Sequence, residues 1–183
     1  MTFNQILGQI VGIIALSFLV STYFKKDKAS ITKTMIVSNI FYIIHYFLIG
    51  ALSGSYALII AIFRDYYIYL RESCHKKHRH HVIYNNVFIF LGIFTIFVSL
   101  ILLNIENPIN IFPFVAGLFY FIFEWFGNKF SVKLATGISS CFWAVYDIIN
   151  FSIPGILTDT FSISACFLGL KKDYDRRHKR HKK

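Results

Sequence analysis

Seven long apolar segments alternate with short polar gaps along this chain. A helix that crosses a bilayer needs about 20 predominantly apolar residues, and the segments have roughly that length. The pattern therefore predicts an all-α polytopic membrane protein with seven transmembrane helices. The expected spans are residues 5–24, 31–49, 54–70, 83–103, 109–127, 131–150 and 155–170.

Three of the gaps carry the residue types that end helices. Glycine and proline are the strongest local signals for a turn, and serine and asparagine often accompany them. We expect tight turns after the second and sixth spans, and a polar turn between the fourth and fifth. Their residues are Gly50, Ser53 and Gly54; Ser152, Pro154 and Gly155; and Asn104, Glu106, Asn107 and Pro108.

Every lysine and arginine except Arg64 lies near alternate gaps. These cations follow the first, third, fifth and seventh spans, within residues 25–33, 71–79, 129–133 and 171–183. Lysine and arginine accumulate on the cytoplasmic side because moving them across the bilayer during insertion is disfavoured. We therefore expect the N-terminus outside and the C-terminus in the cytoplasm. The first apolar segment is interpreted as a retained span, because no basic residue precedes it.

The composition leaves no room for a soluble domain beside the spans. The chain has 183 residues, of which 56% are hydrophobic and 15% charged, and its mean hydropathy is +0.57. A net charge of +10 can indicate nucleic-acid binding. Here the charge is spread over four gaps on one predicted face of the membrane, which favours contact with anionic lipid headgroups and argues against nucleic acid.

The two ends of the chain resemble each other when the sequence is shifted by 101 residues. Residues 10–72 then align with 111–173 without a gap, and both stretches have the same order of spans, basic turn and glycine turn. Matched positions include Phe18 with Phe119, Lys28 with Lys129, and Gly54 with Gly155.

This shift predicts how the single domain is organised. Two parallel three-helix units at 5–72 and 109–170 are joined by one inverting helix at 83–103, and a basic tail follows at 171–183. Parallel repeats in this 3+1+3 plan are typical of SWEET-type transporters, and we expect them to leave a central cavity on the axis that relates them.

An arginine and an aspartate lie near the middle of the third span. A charge at a helix centre costs about 2.5–3.5 kcal/mol on insertion scales, so it normally faces a bundle interior or water. Because adjacent residues on a helix do not face one another, we expect Arg64 and Asp65 to point in different directions with separate partners. Arg64 is a candidate for contacting an anionic or polar solute. The alternatives are a structural ion pair between helices, or snorkelling toward the cytoplasmic interface.

A histidine and an aspartate lie at similar depth in spans two and six. The shift places His45 opposite Tyr146 and Tyr46 opposite Asp147, and we expect these helices to face each other. Histidine titrates near neutrality, so His45 and Asp147 are candidates for proton coupling. The alternative is that His45 forms a satisfied hydrogen bond between helices. The candidates for solute binding or gating are thus His45, Arg64, Asp65, Tyr146 and Asp147.

Small residues elsewhere suit structural roles. Gly8 and Gly12 have the spacing at which helix backbones approach closely. We expect the mildly polar residues of span seven, Ser162, Ser164 and Cys166, to serve helix packing.

A histidine run in the third gap and the tail raises the question of a metal site. Its members are His75, His78, His80, His81, His178 and His181. Interleaved lysine and arginine disfavour a dication, so we expect a solvated basic linker and no metal. The sequence has no Ser-His-Asp arrangement, glycine-rich phosphate loop or HExxH motif, so we expect neither an enzyme nor a cofactor.

Several stretches resemble the YgjV-type bacterial inner membrane proteins. They are residues 22–27, His45-Tyr46 before residues 48–50, Ala61-Ile62-Phe63-Arg64, and Ser139-Ser140-Cys141-Phe142-Trp143. The resemblance covers nearly the whole chain and implies a multi-pass protein of the bacterial inner membrane. The architecture is more distantly similar to SWEET, PQ-loop and nicotinamide riboside transporters. No Pro-Gln pair occurs, which argues against a sugar or an amino acid as the solute.

The leading hypothesis is a transporter or facilitator that moves a small polar solute by rocking two three-helix units about a midplane cavity. The alternative is a non-transporting assembly or regulatory protein that presents its basic face to lipids or to another protein. Convergence of the polar residues on one cavity would favour transport. A homo-oligomer is compatible with either hypothesis.

Overall fold

The computed structural model describes residues 2–22, 24, 28–73, 79–104, 106–126 and 129–181. These ranges contain seven α-helices and no strand, which confirms the predicted all-α class. The helices are α1 (Phe3–Thr22), α2 (Lys28–Ile49), α3 (Leu52–Ser73), α4 (Arg79–Leu103), α5 (Pro108–Phe126), α6 (Lys129–Ile149) and α7 (Ile153–His181). We call α1–α3 the first half and α5–α7 the second half.

The last helix is longer than the apolar pattern predicted. The seventh span was expected to end at residue 170, whereas α7 continues to His181 through most of the basic tail. Residues 170–181 contain neither proline nor glycine and are rich in lysine and arginine, which are good helix formers. The hydropathy pattern shows where the apolar segment ends, but a helix can continue through the polar residues that follow it.

The turns that follow α2 and α6 have the same backbone geometry. Each turn contains one residue with a positive φ, Gly50 directly after α2 at 84° and Phe151 two residues after α6 at 54°. This left-handed residue lets two N–H groups reach back to carbonyls of the last helical turn. The bonds run Gly50→Phe47, Ala51→Tyr46, Phe151→Ile148 and Ser152→Asp147, at 3.2, 2.8, 3.3 and 2.9 Å. Glycine adopts this conformation without strain, and a phenylalanine there was not expected.

Within each half, consecutive helices pack side by side. The halves meet where α1 contacts α7 and α3 contacts α5, while α4 packs on α5 and α3. One interhelical hydrogen bond occurs in both halves, 101 residues apart. Ser38 Oγ donates to the Ala15 carbonyl at 2.8 Å, and Ser139 Oγ donates to the Ala116 carbonyl at 3.0 Å.

The distribution of side chains is the reverse of that in a water-soluble protein. One face of α1 exposes bulky apolar residues such as Ile10 and Ile13, while its small residues are buried. Among the described residues one arginine, three aspartates and one histidine are buried instead, namely Arg64, Asp65, Asp147, Asp159 and His45. Large exposed apolar surface is typical of contact with a membrane or a partner.

Two helical stretches are long and apolar enough to cross a bilayer, Phe3–Thr22 and Ser30–Ile49. Among the described residues, α4 to α7 contribute shorter apolar stretches of 10–17 residues. Membrane crossing by all seven helices therefore stays a prediction.

The small-residue spacing in α1 allows the close approach that was predicted. A Cβ on Gly8 would lie 2.9 Å from Ile49 Cγ2. A Cβ on Gly12 would lie 2.8 Å from His45 Nδ1 and 2.7 Å from Pro154 Cγ. Gly12 thus lets α1 approach both α2 and the start of α7.

Gly12→Ala is expected to destabilise the protein by about 1–3 kcal/mol, because the added methyl group overlaps a rigid proline ring and an imidazole. Thermal unfolding of the purified protein in detergent micelles measures this loss.

Gly92→Ala is the matched control, since a Cβ at Gly92 meets nothing within 4 Å. In the middle of α4 this change should be neutral or stabilise the protein by about 0.5–1 kcal/mol. Equal stability of the two variants would contradict the close packing of α1.

Candidate functional site

A cavity of about 170 Å³ lies between the two halves. Its walls come from α1, α2, α3, α5, α6 and α7, and none of the described residues of α4 contributes. Most of the lining residues form pairs whose numbers differ by 101. The pairs are Leu19/Tyr120, Asn39/Ser140, Tyr42/Trp143, Tyr46/Asp147, Ala57/Thr158, Leu58/Asp159 and Ala61/Ser162.

The two walls of the cavity differ in polarity. Where the first half contributes Ala57, Leu58 and Ala61, the second half contributes Thr158, Asp159 and Ser162 at the paired positions. The polar groups therefore concentrate on α6 and α7. Ser162 was expected to serve helix packing, and it also lines the cavity.

Asp147, a predicted site residue, lines the cavity and is 1% exposed. The hydroxyl of Tyr46 donates a 2.8 Å hydrogen bond to Asp147 Oδ1. Since these residues are 101 positions apart, the contact joins equivalent positions of α2 and α6. A buried carboxyl needs such donors, because removal from water without them is strongly unfavourable.

Asp159 is the functional candidate that the sequence reasoning missed. It lines the cavity, is 5% exposed, and its carboxyl is in hydrogen-bonding contact with that of Asp147. Its Oδ2 is buried and has no hydrogen-bond partner among the described residues. Asp147 and Asp159 are six residues before and six after Ile153, where α7 begins, so the α6–α7 hairpin brings them to a similar depth. That symmetry was available in the sequence.

His45 does not line the cavity, and both of its ring nitrogens have hydrogen-bond partners. Nδ1 lies 2.7 Å from the Gly8 carbonyl, and Nε2 lies 2.8 Å from Ser152 Oγ. The Gly8 carbonyl can only accept, so Nδ1 carries a hydrogen. This agrees with the alternative in which His45 forms hydrogen bonds between helices. As predicted, α2 faces α6, and it also faces the start of α7.

Ser152 connects His45 to the carboxyl pair. Its Oγ accepts a 3.2 Å bond from the Gly155 N–H, as an N-cap of α7, and is also within hydrogen-bonding reach of Asp147. A serine hydroxyl has one hydrogen, so it can donate either to His45 Nε2 or to Asp147. A shift of this hydrogen would therefore link the protonation of the imidazole and the carboxyl.

Tyr146, another predicted site residue, does not line the cavity. It joins the two halves through hydrogen bonds. Its hydroxyl lies 2.8 Å from Ser53 Oγ and accepts a 2.9 Å hydrogen bond from the Gly54 N–H. Ser53 Oγ also donates to Asn110 Oδ1 at 3.0 Å. We call this region, where residues 50–54 of the first half meet residues 146–155 of the second, the turn end.

Gln9 adds two more hydrogen bonds at the turn end. Its Nε2 donates to the Phe151 carbonyl at 2.8 Å, and its Oε1 accepts from the Ile153 N–H at 3.1 Å. The Tyr42 hydroxyl bonds to Thr158 Oγ1, also across the halves. The turn end is therefore closed by a layer of polar contacts.

The prediction that Arg64 and Asp65 point apart is wrong. Arg64 Nε and Nη2 both donate to Asp65 Oδ1, at 2.8 and 2.7 Å. The spacing rule concerns the direction of the Cα–Cβ bonds, and a long arginine side chain can fold back to reach its neighbour. Asn39 on α2 donates to Asp65 Oδ2 at 3.1 Å, so the ion pair within α3 also links two helices.

Arg64 lines the cavity at the end opposite the turn end, whereas Asp65 is not among the residues that line it. The guanidinium sits 4.7 Å from the centre of the Tyr120 ring on α5, which is a cation–π contact between the halves. Tyr67 and Trp125 stack nearby, with ring centres 5.7 Å apart. Aromatic contacts therefore join the halves at this end.

The predictions for the histidine run cannot be compared with the structure. His75 and His78 lie outside the described residues, as do the side chains of His80, His81, His178 and His181. Among the described residues, no group of three or more His, Cys, Asp or Glu side chains could hold a metal ion.

Tyr46→Phe removes the hydroxyl that stabilises Asp147, and is expected to destabilise the protein by about 1–3 kcal/mol. The measurement is thermal unfolding in detergent micelles. Tyr56→Phe is the control, since Tyr56 is 54% exposed and should tolerate the change. A Tyr46→Phe protein as stable as the control would mean that Asp147 does not depend on this donor.

The comparisons with known proteins identify a family. Residues 6–177, nearly the whole chain, match the family Imp-YgjV, described as bacterial inner membrane protein. No curated protein and no solved structure matches. The similarity to SWEET and PQ-loop transporters stays a prediction, while the bacterial inner membrane as location is confirmed. The chain belongs to the Imp-YgjV family of bacterial inner membrane proteins.

Proposed function

We propose that this protein transports a small polar solute across the bacterial inner membrane through the cavity between its halves. The observation that carries the proposal is the cavity itself, whose lining includes Arg64, Asp147 and Asp159. Charged groups within the apolar part of a membrane protein are unfavourable, and they usually mark a path for solutes, ions or protons. Here three of them converge on one space.

The proposal includes the 3+1+3 plan, with seven membrane-crossing helices. Its support is that a serine–carbonyl bond, a left-handed turn and most cavity-lining positions recur 101 residues apart. Two similar halves around a cavity could rock against each other and open it to either side in turn. The helix α4, which lines none of the cavity with its described residues, would connect the halves.

We further propose that the turn end faces outward and that the basic ends of the helices face the cytoplasm. The support is the restriction of lysine and arginine to alternate connections. Anionic lipid headgroups would then contact the basic face. In this orientation the layer of polar contacts that includes Tyr146–Gly54 is an outer gate in its closed form.

In this mechanism the predicted site residues have different roles. Asp147 would contact the solute, and Arg64 would stand at the cytoplasmic end of the cavity. Asp65 would hold Arg64 in place, while His45 and Tyr146 would belong to the gate. Opening the gate would break the bonds of His45 to Ser152 and of Tyr146 to Gly54.

Cysteine labelling tests whether water reaches the cavity. In a protein whose native cysteines are replaced by serine, Ser140→Cys should react with a membrane-impermeant maleimide added to membrane vesicles from either side. Ser140 lines the cavity, and an alternating cavity is open to each side for part of the time.

The adjacent Cys141, kept as the sole cysteine, is the control. It is exposed on the outer face of α6, which would contact lipid, so it should react several-fold less. Labelling of Ser140→Cys from neither side would favour the non-transporting assembly or regulatory protein.

Solute flux tests transport directly. Vesicles containing the protein are exposed to urea, glycerol, glycine or propylammonium chloride, and their swelling is followed by light scattering. We expect at least one solute to enter faster than it enters protein-free vesicles. Arg64→Ala and Asp147→Asn should abolish the increase while the protein remains folded.

Glu106→Gln is the matched control, since it neutralises an exposed carboxylate in the turn before α5. It should keep the flux of the unsubstituted protein. If flux were equal in all three variants, Arg64 and Asp147 would have no part in transport.

A further inference from the structure

One carboxyl oxygen of the acidic pair has no hydrogen-bond donor among the described residues. Asp159 Oδ2 is buried, and no described residue donates to it. A carboxyl oxygen that is removed from water without a donor destabilises a protein unless something else supplies the donor. Asp159 lines the cavity, so a solute that enters meets this carboxyl group and can supply a donor to it.

The charge of the carboxyl pair also favours a solute that supplies a donor. The carboxyls of Asp147 and Asp159 contact each other, and two carboxyls so close cannot both be ionised without a cation, so the pair holds at least one shared proton. Arg64, the arginine that lines the cavity, has two of its nitrogens bonded to Asp65. The pair is therefore suited to exchanging its shared proton for another cation.

The remaining walls and the size of the cavity restrict that cation. Tyr42, Tyr46 and Trp143 line it as an aromatic column, with the rings of Tyr46 and Trp143 stacked 5.7 Å apart. Aromatic groups attract organic cations. The volume of about 170 Å³ is close to the roughly 150 Å³ of an engineered cavity that binds benzene, so a ligand of about six heavy atoms fits.

We propose that the Asp147–Asp159 pair binds a small organic ammonium ion, which donates a hydrogen bond to Asp159 Oδ2 and displaces the shared proton. One proton leaves the carboxyl pair for the surrounding water as one ammonium ion enters, so the charge of the site is unchanged. The inference rests on the proposed transport and names its solute class.

Binding is measured through the fluorescence of Trp143. The chain has two tryptophans, and Trp125→Phe leaves Trp143 as the sole reporter without changing a cavity-lining residue. Propylammonium chloride should change the fluorescence of this protein with saturation. Equal concentrations of 1-propanol, or of sodium propionate, should not. A pH dye in weakly buffered solution should report about one proton released per ammonium ion bound.

Two variants assign the effect to the carboxyl pair. Asp159→Asn and Asp147→Asn, in the Trp125→Phe protein, should each weaken propylammonium binding by about thirtyfold or more, the order of effect seen when a buried charge partner is lost. Glu106→Gln should leave the affinity unchanged. Asp159→Asn should unfold at a temperature no lower than the unsubstituted protein, because it removes a carboxyl oxygen that lacks a donor.

The outcomes separate this inference from the transport proposal. Absence of binding, equal binding of 1-propanol, binding without proton release, or full binding in both Asn variants would each overturn it. The proton measurement needs no variant, so it decides the matter even if a variant fails to fold. If neutral solutes crossed the vesicle membrane while propylammonium did not bind, the inference would fail and transport would stand. If propylammonium bound and no solute crossed, the site would stand and transport would fail.

Discussion

The hydrogen bond from Tyr46 to Asp147 is the contact on which the arrangement of the halves depends. A carboxyl that is 1% exposed inside an apolar bundle must have donors, and Tyr46 lies on the other half of the protein. The need to satisfy Asp147 therefore holds α2 against α6. The ring of Trp143 stacks on that of Tyr46, and the ring of Tyr146 meets it edge to face, so aromatic rings surround the polar contact.

Similar backbones with different side chains make the cavity asymmetric. Each half uses the same serine–carbonyl bond and the same left-handed turn, so paired positions face each other across the cavity. The pairs then differ in chemistry, as Leu58 and Asp159 show. An apolar patch at Ala57, Leu58 and Ala61 opposite an acidic one can hold the two ends of an amphipathic solute, which a cavity with identical walls could not do.

Much of the fold could be predicted from the sequence, because the interior of a membrane imposes a simple rule on segment length and composition. The helices followed from that rule, while the turns at residues 50–54 and 151–155 followed from their glycine and proline, and the close contact at Gly12 from its spacing to Gly8. The site was harder to predict. Asp147 was recognised through its pairing with Tyr46, whereas Asp159 has an apolar partner, Leu58, and the same comparison passed over it. The side chain of Arg64 folds back to Asp65, which residue spacing alone does not reveal.

The cap of α3 is supplied by the other half of the protein. Ala51 precedes this helix and has no side-chain oxygen, so the Gly54 amide donates to the Tyr146 hydroxyl instead. The corresponding helix, α7, carries its own cap in Ser152. The Gly54 amide also donates to the Ala51 carbonyl at 3.1 Å, so if the halves separated the first turn of α3 would keep this bond and lose the one to Tyr146, while α7 would keep its whole cap. Opening at this end would thus weaken the first turn of α3, while the first turn of the matching helix α7 would not change.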